Sequence, residues 1–160
     1  MWKSVLDAHG NSMENIDGIE IIKEKNDLTI FKLYGSNIYY MSSKEKYFLI
    51  IDSKYFDEQW KKSSFKIQTA LANIVNKKDD YKYEEAEKSF SLGIRNPVPV
   101  VEIYVEKDKD DIIPTLCDGL TRTNYLLSKN VKKLVFSLDE NIQLETSKYY
   151  LTINIDNHFN

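Results

Sequence analysis

Ile112-Ile113-Pro114-Thr115-Leu116-Cys117-Asp118-Gly119-Leu120-Thr121-Arg122-Thr123-Asn124-Tyr125-Leu126-Leu127-Ser128-Lys129-Asn130 runs on into Val131-Lys132-Lys133-Leu134-Val135-Phe136-Ser137-Leu138. Ile112 to Cys117 reads as a strand interrupted by Pro114. Asp118-Gly119 opens a turn, Leu120 to Lys129 contains no helix breaker, and Asn130 suits the left-handed residue that ends a helix. Val131 to Leu138 gives a second strand. Strand, turn, helix and strand in so short a span make a compact unit, and helices beside a run of strands make the fold class α+β.

Upstream of that unit, Arg95-Asn96-Pro97-Val98-Pro99 forbids helix and leads into an edge strand, Val98 to Val105. There Val101, Ile103 and Val105 alternate with Glu102, Tyr104 and Glu106 to give one buried face. The charge run Lys107 to Asp111 is a turn. Tyr81 to Leu92 reads as a short helix stopped by Gly93, where a left-handed conformation costs least. Asn76-Lys77-Lys78-Asp79-Asp80 reads as a solvated stretch. Lys54 to Lys62 and Phe65 to Val75 carry Tyr55, Phe56, Gln59 and Trp60, then Phe65, Ile67, Leu71, Ile74 and Val75, at helical spacing. Tyr47 to Asp52 is a strand apolar on both faces, and Asp52 or Ser53 is the cap of the helix after it.

Ile19 to Glu24, Leu28 to Tyr34 and Asn37 to Met41 are β-branched and aromatic runs separated by Asn26-Asp27 and Gly35-Ser36, the pattern of a β-meander. Residues 1–18 are rich in turn formers and read as an irregular arm before one domain spanning 19–160. A last hairpin is expected from Ile142 to Ile155. A chain of 160 residues is long enough for a single well-buried core.

Lys and Arg number 22 against 25 Asp and Glu, a net charge of −3 that disfavours nucleic acid as a partner. No apolar run is long enough for membrane insertion, and Asp7 and His9 interrupt any leader core at the start, so a cytoplasmic protein is expected. The one cysteine, Cys117, reads as a core thiol. With only His9 and His158 beside it, no metal and no cofactor is expected.

Six residues concentrate the features of a binding site. The turn at Asp118-Gly119 opens a helix whose first N–H groups attract anions. Arg122, Thr121 and Thr123 lie in its first turn, with a guanidinium shaped for phosphate or carboxylate oxygens. Asp118, Gly119, Thr121, Arg122 and Thr123 are therefore the candidate anion or nucleotide site. The alternative is internal: Asp118 caps the helix, Gly119 supplies a positive φ, and Arg122 pairs with Glu102 or Glu106. Lys129, Lys132 and Lys133 either extend the site or balance the helix dipole. Asp79, Asp80, Glu84, Glu85 and Glu87 read as a solvated face. Tyr39, Tyr40, Tyr47, Phe48, Tyr55, Phe56 and Trp60 form either a partner-binding surface or core.

Cys117 to Asn130 resembles the strand, turn and helix of ParB/sulfiredoxin-type domains, where a D-G-x-x-R pattern precedes the helix. More narrowly it is similar to the plasmid fertility inhibition factors, with their N/D-G-x-T-R-T-x-x-L-L pattern. Ala86-Glu87-Lys88-Ser89-Phe90-Ser91-Leu92-Gly93-Ile94-Arg95-Asn96-Pro97-Val98-Pro99-Val100-Val101-Glu102 resembles the same family's A-x-x-x-F-x-x-G-x-x-N-P-V-P-L-A-E segment. The likeness covers residues 84–138 closely, 28–75 loosely and the N-terminal arm not at all.

The resemblance implies a ParB/sulfiredoxin-like mixed sheet flanked by short helices. It also implies a role in blocking conjugative plasmid transfer by binding the coupling machinery of a type IV secretion system. Relatives of that fold bind or hydrolyse nucleotides or cleave DNA. Here Thr121 stands where the G-x-H-R pattern has its histidine, so the imidazole of the catalytic versions is missing. Cys117 precedes the glycine instead of following it, which does not support sulfiredoxin-type redox chemistry. Two other functions remain open: a cytoplasmic immunity protein binding a cognate toxin, and a nucleotide hydrolase or nuclease at the Gly119 to Arg122 turn.

Overall fold

The structure, a computed structural model, describes residues 2–5, 13–16, 18–23, 28–33, 36–43, 45–74, 76–77, 80, 82–142 and 144–155. Tyr47–Asp52 is β6 in chain order, and Phe48, Leu49, Ile50 and Ile51 on it are fully buried. A strand with apolar side chains on both faces has to be covered on both. It lies inside a four-stranded sheet ordered β1 (Trp2–Val5), β11 (Tyr150–Ile155), β6 and β10 (Lys133–Ser137). β10 and β11 flank it antiparallel, with Val135 and Leu151 both opposite Ile50, and β1 runs parallel to β11.

A second sheet, ordered β2 (Met13–Ile16), β3 (Ile19–Lys23), β4 (Thr29–Leu33), β5 (Tyr39–Ser42) and β7 (Val98–Pro99), covers one face. Phe31 of β4 meets Phe48 edge-on at 4.8 Å. The other face receives α1 (Ser53–Trp60), whose Phe56 stacks on Phe136 at 5.1 Å. Asp52 starts that helix as read from the sequence, its carboxylate accepting the Tyr55 N–H at 3.0 Å.

The third sheet is a hairpin of β8 (Ile103–Asp108) and β9 (Asp111–Leu116), turned at Lys109 with φ 59°. The outer edge of β9 is closed by helix side chains instead of a strand. Tyr55 Oη accepts the Ile112 N–H, and Gln59 Nε2 donates to the Ile112 carbonyl at 3.0 Å. Gln68, on α2 (Lys66–Ala72), accepts the Leu116 N–H at 3.1 Å, donates to the Leu116 carbonyl, and accepts the Trp60 indole N–H at 2.7 Å. Pro114 lies on the same side of the strand as Ile112 and Leu116, so its missing N–H removes no bond to β8.

α3 (Tyr83–Ser91) and α4 (Leu120–Ser128) pack together through Phe90 stacked on Tyr125 at 5.3 Å. Gly93 and Asn130 both take the left-handed conformation expected of them, with φ 56° each.

Several expectations change. The arm at 1–18 is not irregular throughout, because β1 and β2 join two different sheets. The hairpin expected from Ile142 to Ile155 does not form among the described residues: β11 inserts between β1 and β6 and has no partner from 142–149. The Val98 to Val105 strand is divided. β7 pairs in parallel with β5, Glu102 bridges Ser137 of β10, and Ile103 begins β8, so one short segment ties three sheets together. The turn residues Asn26, Asp27 and Gly35, with Val75, Lys78, Asp79, His9 and His158, lie outside the described residues.

Candidate functional site

Gly119 is built into its position by backbone and space. Its φ is 72°, and a Cβ there would sit 2.3 Å from Val101 Cγ2. The glycine lets β9 turn sharply into α4 while lying against the segment that precedes β8. The Leu120, Thr121 and Arg122 N–H groups have no acceptor among the described residues, and the first helical bond runs from the Thr123 N–H to the Gly119 carbonyl at 3.0 Å.

Asp118 does not cap this helix. Its carboxylate accepts the adjacent Gly119 N–H at 2.7 Å and is otherwise almost wholly exposed. Arg122 is a quarter exposed, with Nη1 donating to the Pro99 carbonyl at 3.3 Å and Nη2 at 4.0 Å from Asp118. The pairing with Glu102 or Glu106 is not made. The guanidinium charge also opposes the burial that pushes the Tyr40 phenol far above its ordinary range.

The hydroxyls of Thr121 and Thr123 are both engaged within the chain, by different routes. Thr123 is buried, and its hydroxyl donates to the Gly119 carbonyl at 2.9 Å, locking the turn. The Thr121 hydroxyl donates to Asp80 at 3.1 Å. Asp80, read from sequence as solvated, is buried at 3% exposure and also accepts from Asn124 Nδ2 and the Lys82 N–H, each at 3.1 Å. One internal carboxylate thus sits at the starts of both α3 and α4, where helix dipoles favour negative charge. Its neighbour Lys77 also turns inward: the ammonium donates to the Ala72 carbonyl at 2.7 Å and lies 3.3 Å from Asp57. Burial lowers the Lys77 pKa, and Asp57 opposes the shift.

Asp118, Gly119, Thr121 and Arg122 line a cleft of about 330 Å³, closed on its other side by Leu71 and by Lys82, Glu85, Ala86 and Ser89. Two cations, Lys82 and Arg122, share it with two carboxylates, Asp118 and Glu85. The cleft is therefore balanced in charge, where the sequence alone suggested a cationic pocket. Lys129, Lys132 and Lys133 lie at the opposite end of α4, around a separate hollow of about 400 Å³, and do not extend it. Glu84, Glu85 and Glu87 are exposed as expected. Of the aromatic cluster, Tyr40, Phe48, Tyr55, Phe56 and Trp60 are core. Cys117 is exposed, not core: it follows the last residue of β9, on the open face of the hairpin.

The sequence reading missed Asp80, Lys82 and Ser89. The signal for Asp80 was local, since Asp80-Tyr81-Lys82 precedes a helix as an aspartate turn does. Among the described residues no helix is long and apolar enough to cross a membrane.

A search of curated proteins by sequence found no match. Among solved structures, the gold(I) cyanide derivative of Oncogenic Suppression Activity Protein, a plasmid fertility inhibition factor, is similar with a TM-score of 0.64 at 18% identity, covering 78% of this chain and 69% of that one. That likeness supports the fold. The family model for plasmid fertility inhibition factors matches residues 48–136, from β6 through α4 to β10, with the Asp118 to Arg122 turn inside it. With more than half of its length matched, the chain belongs to the plasmid fertility inhibition factor family.

Proposed function

We propose that this chain blocks conjugative plasmid transfer by binding, in the cytoplasm, a component of the type IV secretion or coupling apparatus. It would do so on a ParB/sulfiredoxin-like core and without chemistry of its own. The observation that carries the reading is the family match over residues 48–136, which contains the strand, turn and helix of the candidate site and the following strand up to Phe136. Two features of the turn favour binding over catalysis. Thr121 stands where an imidazole would be, and its hydroxyl is given to Asp80. The cations of the cleft are matched by carboxylates, an arrangement poor for a polyphosphate. We read Arg122, Lys82 and the N–H groups of Leu120 to Arg122 as a seat for a single carboxylate or phosphate of the partner.

The test has two arms. Donor cells making the chain should transfer a co-resident conjugative plasmid less often than donors without it. Purified chain should turn over neither ATP nor CTP and should leave supercoiled DNA intact with magnesium present. Turnover abolished by Arg122→Ala would replace the binding reading with the enzymatic one.

A further inference from the structure

Two of the large apolar side chains that face solvent, Phe65 at 54% exposure and Tyr104 at 45%, lie on one groove. The groove holds about 510 Å³ on the open face of the β8–β9 hairpin, with Cys117 and Leu120 along it. Tyr104 stands beside Glu102, and a second hollow of about 380 Å³ begins there, lined by Glu45, Glu102, Asp139 and Glu140 with Lys46 as the one cation among the described residues. Glu106 carries negative charge along the groove itself, where no cation lines the wall among the described residues. The field is felt by Tyr104, whose phenol is raised above its ordinary range by the charge of Glu102 first, then Cys117, with Asp139 contributing.

The backbone beside the groove is open as well. Tyr55 and Gln68 take the N–H groups of Ile112 and Leu116, so Ile113 and Thr115 direct theirs to β8. Their partners Glu106 and Tyr104 face β9, which leaves Val105 and Lys107 directing N–H and C=O outward. Beyond the bridge at Glu102, no strand among the described residues pairs with that edge.

We propose that this surface receives an extended basic segment of a partner protein, which adds as a strand to β8, seats an apolar side chain between Phe65 and Tyr104, and places lysine or arginine over Glu102 and Asp139. The inference rests on the reading of the chain as a protein-binding inhibitor and names the chemistry of its partner. Strand addition supplies affinity through main-chain bonds and specificity through alternate side chains. Charge selects the occupant: an acidic segment meets like charge, and a second copy would bring the same carboxylates face to face.

Short random peptides displayed on phage and selected on the full chain test it. The enriched peptides are expected to combine a large apolar residue with neighbouring lysine or arginine. As synthetic probes they should lose affinity about tenfold or more when Tyr104→Ser or Glu102→Lys is introduced into a chain whose melting is unchanged. Bound peptide should also slow maleimide alkylation of Cys117, the sole cysteine. Failure to enrich, acidic or uncharged winners, binding indifferent to both substitutions, or a dimer that Tyr104→Ser dissolves would each overturn the proposal. Plasmid transfer separates the two readings: wild-type chain that inhibits transfer while peptides ignore the groove overturns this surface alone, and wild-type chain that inhibits nothing overturns the inhibitor reading.

Discussion

Asp80 and Arg122 meet at the start of the same helix with opposite consequences for stability. Asp80 is buried and accepts three hydrogen bonds, so Asp80→Ala takes the acceptor from the Thr121 hydroxyl, from the Lys82 N–H and from one of the two bonds of the Asn124 amide, which keeps the Leu71 carbonyl. Asn124 is buried, Thr121 half-buried and Lys82 exposed, so the lost bonds fall at the low end of about 1–3 kcal/mol apiece, and a total loss of about 3 kcal/mol is expected by urea titration. Arg122→Ala removes one long hydrogen bond and a contact to an exposed carboxylate, so it should cost less than about 1 kcal/mol in the same titration. Gly119→Ala combines a positive φ with a clash against Val101 and should cost about 2–4 kcal/mol. The glycine and the arginine were legible because turn chemistry is local. Asp80 was legible only as the turn before α3; its inward role was not, because its partners Thr121 and Asn124 lie far along the chain.

At the scale of elements, the dependence of β9 on helix side chains is open to measurement. Gln68→Ala leaves the Trp60 indole N–H and the Leu116 N–H without acceptors in buried surroundings. A loss of about 2–4 kcal/mol is expected, followed by unfolding monitored through tryptophan fluorescence. Tyr55 gives the same junction a pH dependence. Burial, more than offsetting the bond from the Ile112 N–H, pushes its phenol up to about 12, and Asp111 adds to the rise. The folded state keeps this proton longer than the unfolded chain, whose tyrosines ionise near pH ~10. The contribution is therefore complete below pH ~10 and disappears as pH rises through about 12. Urea midpoints should hold steady to pH ~10 and then fall, and in Tyr55→Phe the midpoint should start lower and fall less steeply. Helices α1, α3 and α4 and the meander strands were readable because their periodicity is local. β1, β2 and the insertion of β11 between β1 and β6 were not, since strand pairing across the length of the chain leaves no mark on any one segment.

For the whole molecule, β6 and the segment from Val98 to Ile103 are the parts that unite the fold: one is covered on both faces, the other touches all three sheets. Both, apart from Tyr47 at the start of β6, fall within the residues matched by the family model, as does the turn carrying Arg122. The family was visible in the sequence because its signature lies in backbone-determining residues, Asn96-Pro97-Val98-Pro99 and Gly119, whose geometry tolerates few alternatives. The groove at Phe65 and Tyr104 was not visible, because it is assembled from Phe65, α2, β8, β9 and the start of α4, which only the fold brings together. The central claim, that the chain inhibits conjugation by binding, meets its most direct test in transfer frequency. Donors carrying conjugative plasmids of several incompatibility groups would be mated with and without expression of the chain at matched growth. The account predicts that transconjugants per donor fall for at least one group when the wild-type chain is made; transfer unchanged across every group would contradict it.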